Sequence, residues 1–354
     1  MSSSISASDP RAPDPRVWRR FALWLAGSSL GFFLFVYAFV AVVDPWGVLP
    51  LSPPLPRVPI STNARFSFPA LARSQTFDAA IFGTSTTRLL RPALLDGMFG
   101  ARFVNLAMNS ATAWEQSRML ALFTRTHPAA RMVVIGLDSA WCTEVPQRTS
   151  GRPFPDWMYT GSPWRGYREI ATLYAVQEAA NQFAVLVGMK RRRYGLDGYT
   201  DFLPDDRLYD PARVAVRFAE WGPAPNLPAG PSSAHVFPAL SMLAERLAAL
   251  PAETRKLLFF TPSHISQQGE PGSDIAALTA ACKRAVAVIA SGVPGVKVVD
   301  FLIPSPITRA RDNYWDPLHY RVPIASRIMR DLLAASEGET SEDDRLLTPP
   351  AGAS

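Results

Sequence analysis

The chain has 354 residues, 48% hydrophobic and 19% charged, with a formal net charge of +6. That charge is modest and comes partly from Arg11, Arg16, Arg19 and Arg20. With no nucleic-acid-binding motif present, it argues against a nucleic-acid partner. The two cysteines are too few for a disulfide framework or a zinc site. Cys142 and Cys282 could pair in an oxidising compartment, but we read them as two buried thiols.

The first element runs from Phe21 to Val43 (FALWLAGSSLGFFLFVYAFVAVV) and carries no charged side chain. A helix needs about 20 such residues to cross the hydrocarbon of a bilayer. A cleavable signal has an apolar region of only about 7–15 residues and a small-residue cleavage site, whereas this run ends in VVDPWG. A buried core helix would show a polar face, which is missing. The four arginines precede the run, and basic residues stay on the cytoplasmic side. Residues 1–20 are therefore expected to be a cytoplasmic tail, disordered up to about residue 16. The reading is a single-pass protein of the inner (cytoplasmic) membrane with its main domain periplasmic.

Residues 44–75 include the proline-rich PLSPPLPRVP and read as an extended stalk. About 20 polyproline-like residues at roughly 3.1 Å each would hold a domain about 60 Å from the bilayer. Beyond the stalk, short apolar runs alternate with helical patterns. Strands are predicted at Ala79–Phe82, Phe103–Leu106, Met132–Gly136, Lys256–Thr261 and Val296–Phe301. Helices are predicted near 91–97, 111–126, 237–249, 273–290 and 322–334. This alternation implies right-handed crossovers and a parallel sheet. The runs MVVIG and KLLFF suit strands buried on both faces. The expected fold over residues 76–335 is α/β, a three-layer α/β/α sandwich with a five-strand parallel sheet, flavodoxin-like in outline. Such sheets bind ligands in the crevice beyond the strands' C-terminal ends.

Residues 143–235, rich in Pro, Trp and Tyr, break the alternation. They read as an insertion between the third and fourth strands, forming either a wall of the site or mere packing on the sheet. Within it, Lys190–Arg193 is a basic cluster. It is either a solvated helix end or a contact for anionic headgroups or an acidic polymer. Residues 336–354, acidic and then Pro/Ala-rich, are expected to be disordered.

The first strand ends in Gly83-Thr84-Ser85. A serine at that sharp turn presents its hydroxyl to the crevice, beside backbone N–H groups that can hold an anion. Far along the chain, Asp316-Pro317-Leu318-His319 follows the last strand. An aspartate three residues before a histidine can accept from one imidazole nitrogen and leave the other for a serine. Arg88 and His264 are candidates for substrate binding, against plainer roles as a salt-bridge partner and a loop histidine. Asp138 is expected to hydrogen-bond the Ser85 loop. His127 and His235 have no suggestive context. No P-loop, dinucleotide fingerprint or metal-ligand cluster is present, so the reading calls for no metal and no cofactor.

The combination resembles the SGNH/GDSL hydrolase-like superfamily, in particular its bacterial membrane-anchored branch, related to envelope polysaccharide O-acetyltransferases and esterases. Gly83-Thr84-Ser85 matches the Gly-Asp-Ser block, and Asp316 with His319 matches the last block, in the right order and separation. Asn105–Ala111 stands where the family has Asn-Leu-x-x-x-Gly, with Ser110 at the glycine position. Gly136-Leu137-Asp138 replaces Gly-x-Asn-Asp, so the oxyanion-binding asparagine has no counterpart unless Asn109 approaches from the neighbouring loop. The resemblance implies Ser85 as nucleophile, His319 as base and Asp316 as its orienting acid, with an oxyanion hole from Ser85, Ser110 and Asn109. It also implies an esterase or O-acyltransferase acting on envelope glycan or lipid esters, with a membrane-bound acyltransferase or glycan synthase as partner. The rival expectation is a catalytically silent SGNH-like subunit that binds a glycan or a partner in an envelope biosynthesis complex.

Overall fold

The structure is a computed structural model that describes residues 15–192, 194–229 and 235–347. The readings of residues 1–14, Arg193 and 348–354 lie outside the described residues. Helix α1 (Pro15–Val43) is long and apolar enough to cross a membrane. It begins at Pro15, so residues 15–20 are helical and not part of a loose tail.

The stalk expected at 44–75 is instead folded onto the domain. Asp44, with φ 43°, turns the chain at the end of α1. Its buried carboxylate accepts from the Val48 N–H at 3.2 Å, the Leu49 N–H at 2.9 Å and the Ser52 hydroxyl at 2.8 Å. Arg57 doubles back, and its Nε donates to the Val43 carbonyl at 2.7 Å, where the helix leaves acceptors unpaired. Trp46 is buried among Phe66, Trp157 and Tyr174, with its indole N–H on Ser61 Oγ at 2.9 Å. Helix α2 (Ala64–Leu71) follows, capped by Asn63. Prolines made this segment look extended, but the aromatic and polar residues between them dock it. The domain therefore abuts the end of α1 and does not hang on a long tether.

The elements that follow are β1 (Ala79–Phe82), α3 (Pro92–Phe99), β2 (Phe103–Asn105), α4 (Ala113–Thr126) and β3 (Met132–Leu137). The insertion carries α5 (Asp156–Tyr159), α6 (Gly166–Glu169), α7 (Leu173–Leu186) and α8 (Pro211–Trp221). Then come α9 (Pro238–Ala248), β4 (Arg255–Phe260), α10 (Asp274–Ser291), β5 (Val296–Asp300), α11 (Pro306–Arg309), α12 (Val322–Glu337) and β6 (Arg345–Leu346).

The sheet is mixed and six-stranded, in the order β2-β1-β3-β4-β5-β6. The first five strands pair in parallel and β6 runs antiparallel to β5. The five-strand parallel sheet is thus corrected by an edge strand drawn from the segment read as a disordered tail. The acidic residues there are used structurally. Buried Asp343 accepts from the Ile307 N–H at 3.2 Å and pairs with Arg327, while the Leu347 N–H donates to Val298 O at 2.9 Å.

Alternate strand residues serve opposite faces. Ala80, Phe82, Val133, Ile135, Leu258 and Phe260 join the core beneath α4, α9 and α10. Ala79, Ile81, Met132, Val134, Leu257 and Phe259 join the core beneath α3 and α12. Cys142 and Cys282 form a disulfide, which corrects the reading of two free thiols. Folding brings their Cα atoms to 5.5 Å, within bonding reach, and the bond ties the start of the insertion to α10.

Candidate active site

From β1 the chain leaves to β2 at one edge and returns to β3 on the other side. The crevice at such a reversal is where α/β sheets bind ligands, and Ser85 follows β1 there. Its turn is built by two glycines. A Cβ on Gly83 (φ 148°) or on Gly136 would collide with the side chain of Thr87. Buried Thr87 therefore tucks between the ends of β1 and β3, and the chain turns over it.

The loop carrying Asp316 and His319 is fixed on several sides. Tyr314 and Tyr320 bridge at its base, and the Trp315 N–H donates to His319 O at 2.9 Å. The buried Tyr320 hydroxyl donates to Thr86 O at 2.5 Å, joining this loop directly to the Ser85 turn. At its tip, Asp316 Oδ1 accepts from the N–H groups of Leu318 and His319, both at 2.9 Å. Asp316 Oδ2 lies 2.7 Å from His319 Nδ1, and His319 Nε2 lies 2.9 Å from Ser85 Oγ. A carboxylate only accepts, so Nδ1 carries the proton and Nε2 offers its lone pair to the serine hydroxyl. Burial alone would raise the Asp316 pKa. The hydrogen bond and charge of His319 and the two backbone N–H groups outweigh it and hold the carboxyl below its ordinary range. Three residues from opposite ends of the chain thus form a continuous serine–imidazole–carboxylate relay.

The loop after β2 has two of its carbonyls held by one cation. Buried Arg65, on α2, donates from Nη1 to Asn109 O at 3.2 Å and from Nη2 to Ser110 O at 3.3 Å. The same guanidinium pairs with buried Glu115, with Nε on Oε1 at 2.9 Å, and reaches Ser150 Oγ at 2.9 Å. Glu115 closes a capping box with Thr112 at the start of α4. Ser110 has φ 52°, so this position takes the left-handed region that glycine adopts freely, here occupied by a serine. Among the described residues, neither the Ser85 nor the Ser110 N–H donates to a protein acceptor. Ser85, Thr84, Ser110 and Asp138 line one cleft of about 460 Å³, walled on its far side by Thr143, Val145, Gln147 and Ser150.

Asp138 does join the Ser85 loop: it accepts from the Thr84 hydroxyl and, at 2.9 Å, from the Ala140 N–H. Burial pushes its carboxyl above the usual range, although both hydrogen bonds oppose this. Bonded to the Thr84 hydroxyl and the Ala140 N–H, it serves as an acceptor.

The two substrate-binding candidates sit behind the relay. Arg88 is buried, with Nη1 on Asn109 Oδ1 at 2.6 Å and its guanidinium over the rings of Tyr194 and Phe202. Phe202, from the insertion, meets the His319 ring edge-on at 5.8 Å. Arg88 thereby fixes the Asn109 carboxamide oxygen. His264 is packed edge-on against Phe218 and Tyr314, and its Nδ1 accepts from the Ser266 N–H at 3.2 Å. Its own N–H donates to Pro317 O at 2.8 Å, holding the Asp316 loop. Burial, with Arg311 nearby, lowers its pKa. His127 is buried against Phe123, and His235 pairs with Glu144, both away from the relay.

Sequence reasoning missed Arg65, Glu115 and Phe202. Only Glu115 had a local signal, the Thr-x-x-Glu spacing of a capping box. Among the described residues no cluster of three or more metal-ligating side chains occurs. No protein-family model matches this chain, and no curated protein matches it.

Proposed function

We propose that this chain is a membrane-anchored serine esterase or O-acyltransferase of the SGNH type, acting on ester groups of cell-envelope glycans or lipids. The observation that carries the reading is the relay from Ser85 Oγ to His319 Nε2 at 2.9 Å and from His319 Nδ1 to Asp316 Oδ2 at 2.7 Å. In the proposed reaction His319 takes the Ser85 proton as Oγ adds to the ester carbonyl carbon. The oxyanion forms against the N–H groups of Ser85 and Ser110 and the Asn109 carboxamide. Collapse of the adduct breaks the ester C–O bond, and His319 returns the proton to the leaving oxygen. Water or a glycan hydroxyl then attacks the acyl-serine, giving up its proton to His319, and as the acyl C–Oγ bond breaks His319 passes that proton to Ser85 Oγ. Arg88 and His264 act as positioning residues in this scheme, for Asn109 and for the Asp316 loop, and not as substrate clamps. The anchor and the extracytoplasmic orientation fit a substrate fixed in the envelope.

One observation favours the silent-module reading: the position expected to hold a donating asparagine holds the acceptor Asp138. A fluorophosphonate probe on the full chain in detergent separates the two readings. Labelling that vanishes in Ser85→Ala supports the enzyme. An unlabelled wild-type chain with no esterase activity refutes it and leaves a binding role.

A further inference from the structure

Helix α7 buries two polar side chains and exposes several apolar ones. Its buried side includes Glu178 and Gln182, which are 5% and 0% exposed. Glu178 accepts from the Ser61 hydroxyl, and Gln182 donates to Val58 O at 3.3 Å. The outward stripe, by contrast, runs Leu173, Gln177, Ala180, Phe183 and Val187. Leu173 is 89% exposed, and Met189 just beyond the helix is 82% exposed. A helix on an aqueous surface buries its apolar stripe and exposes its polar one. Here the buried side mixes Ala175 and Ala179 with the two polar side chains, and the exposed stripe is mostly apolar.

The position of α7 supplies the reason. It packs along the last turns of α1, where Phe39 meets Phe183 edge-on at 5.8 Å and the Tyr37 hydroxyl donates to Tyr167 O at 2.7 Å. Residues 36–43 occupy about the last 12 Å of α1 at roughly 1.5 Å per residue. Where Phe21–Val43 spans a hydrocarbon core of about 30 Å, a helix packed on those turns lies at the depth of the domain-side leaflet. Immediately after it, the chain turns at Gly188 (φ 78°) into Lys190, Arg191 and Arg192, all exposed. Lys190 bonds Asn181 Oδ1 at 2.7 Å, which folds the basic segment back along the helix.

We propose that α7 and residues 187–192 form a second membrane contact, an interfacial element of the leaflet on the domain side. Its outward apolar stripe enters the acyl boundary, and its basic end meets anionic lipid headgroups. Continuity with α1 and the order of apolar stripe followed by cations favour a bilayer over a protein partner. The inference rests on α1 spanning the membrane but not on the chemistry at Ser85.

The test uses the full chain in nanodiscs, with nitroxide labels at Phe32→Cys on α1, Val187→Cys, and Leu94→Cys on α3 across the sheet. The native cysteines are bonded to each other, so each variant adds a single reactive thiol. Collisions with oxygen should dominate over those with a nickel chelate at 32 and 187, with the reverse at 94. A label at 187 that behaves like 94 while 32 is lipid-exposed overturns the inference and leaves the anchor standing. An aqueous label at 32 overturns both. For the basic end, a label at Met189→Cys should lose nickel-chelate collisions several-fold when phosphatidylglycerol is added to phosphatidylcholine. Joint K190Q/R191Q/R192Q substitution should remove that response. A loss caused instead by a soluble acidic polysaccharide, and not by phosphatidylglycerol, would overturn the headgroup assignment.

Discussion

Replacing Asp316 by asparagine tests the relay at its most informative atom. Asp316 uses both oxygens: Oδ1 takes two backbone N–H groups at 2.9 Å, and Oδ2 takes His319 Nδ1 at 2.7 Å. In Asp316→Asn the backbone donors compel the remaining oxygen to stay at the Oδ1 position, so the new NH₂ points at the imidazole. His319 must then present a lone pair at Nδ1 and carry its proton on Nε2, where it can no longer accept from Ser85. In serine–histidine–aspartate sites this change of tautomer costs about 10⁴ in turnover, or roughly 5 kcal/mol of barrier. The fold should be barely affected, because the loop keeps both backbone hydrogen bonds. The assay is the rate of fluorophosphonate labelling of the full chain, with thermal unfolding in parallel. A fall of about 10⁴ with an unchanged melting temperature is expected. Labelling within about tenfold of wild type would show that the relay drawn here does not activate Ser85. Asp316→Ala is the contrast: it frees the two N–H groups and should lower the melting temperature as well as the rate.

Two further substitutions probe the loops around the serine. Ser110 holds φ 52°, a region that costs a side-chain-bearing residue about 1–2 kcal/mol. Offset by the extra unfolded freedom of glycine, Ser110→Gly should stabilise by about 0.5–1 kcal/mol, with labelling unchanged because the N–H stays. A lower melting temperature would contradict that reading of the backbone. For Asp138 the sign runs opposite to the usual carboxylate. Its folded pKa is raised by burial, so its favourable contribution is complete below the unfolded pKa of about 3.9 and is lost as pH climbs through the folded value. Asp138→Asn keeps an acceptor for the Ala140 N–H and carries no charge to lose. Its stability relative to wild type should therefore rise as the pH climbs above the unfolded carboxyl pKa of about 3.9, and a difference that stays flat with pH would show that Asp138 ionises freely.

What sequence made legible here is what short-range chemistry writes. The Asp316–His319 spacing works because an aspartate turn folds onto its own next N–H groups, and Gly83-Thr84-Ser85 marks where a buried strand must turn. The strands near 79, 103, 132, 256 and 296 declared themselves as apolar runs between helical patterns. The features that escaped join residues far apart in the chain. Arg65 meets Glu115 fifty positions away, and Cys142 meets Cys282 after 140. Neither leaves a local pattern. Strand β6 is two residues long in an acidic segment, where Asp343 is satisfied by the distant Ile307 N–H and Arg327. The proline-rich stretch misled for a related reason: proline reports backbone stiffness, whereas Trp46 and Asp44 decide whether the segment docks.

That docking predicts where the functional unit begins. A domain boundary at residue 76, natural from the strand pattern, removes α2 and with it Arg65. Buried Glu115 would lose its only ion-pair partner among the described residues, and the carbonyls of Asn109 and Ser110 would lose their donors. Breaking one side of a buried pair typically costs about 3–5 kcal/mol, and here the loss falls on the loop that presents the Ser110 N–H to the cleft. A chain starting at 44 keeps Asp44, Trp46 and α2 while discarding α1. Compared side by side, the chain from 44 should fold and be labelled by fluorophosphonate much as the full protein is. The chain from 76 should melt well below it or fail to fold, and should be labelled slowly if at all. Equal melting and labelling of the two would mean that the segment after α1 is a tether after all, and that Arg65 plays no part in shaping the cleft. The opposite result makes the segment after α1 part of the candidate active site, linked from α1 through Trp46 and α2 to the loop beside Ser85.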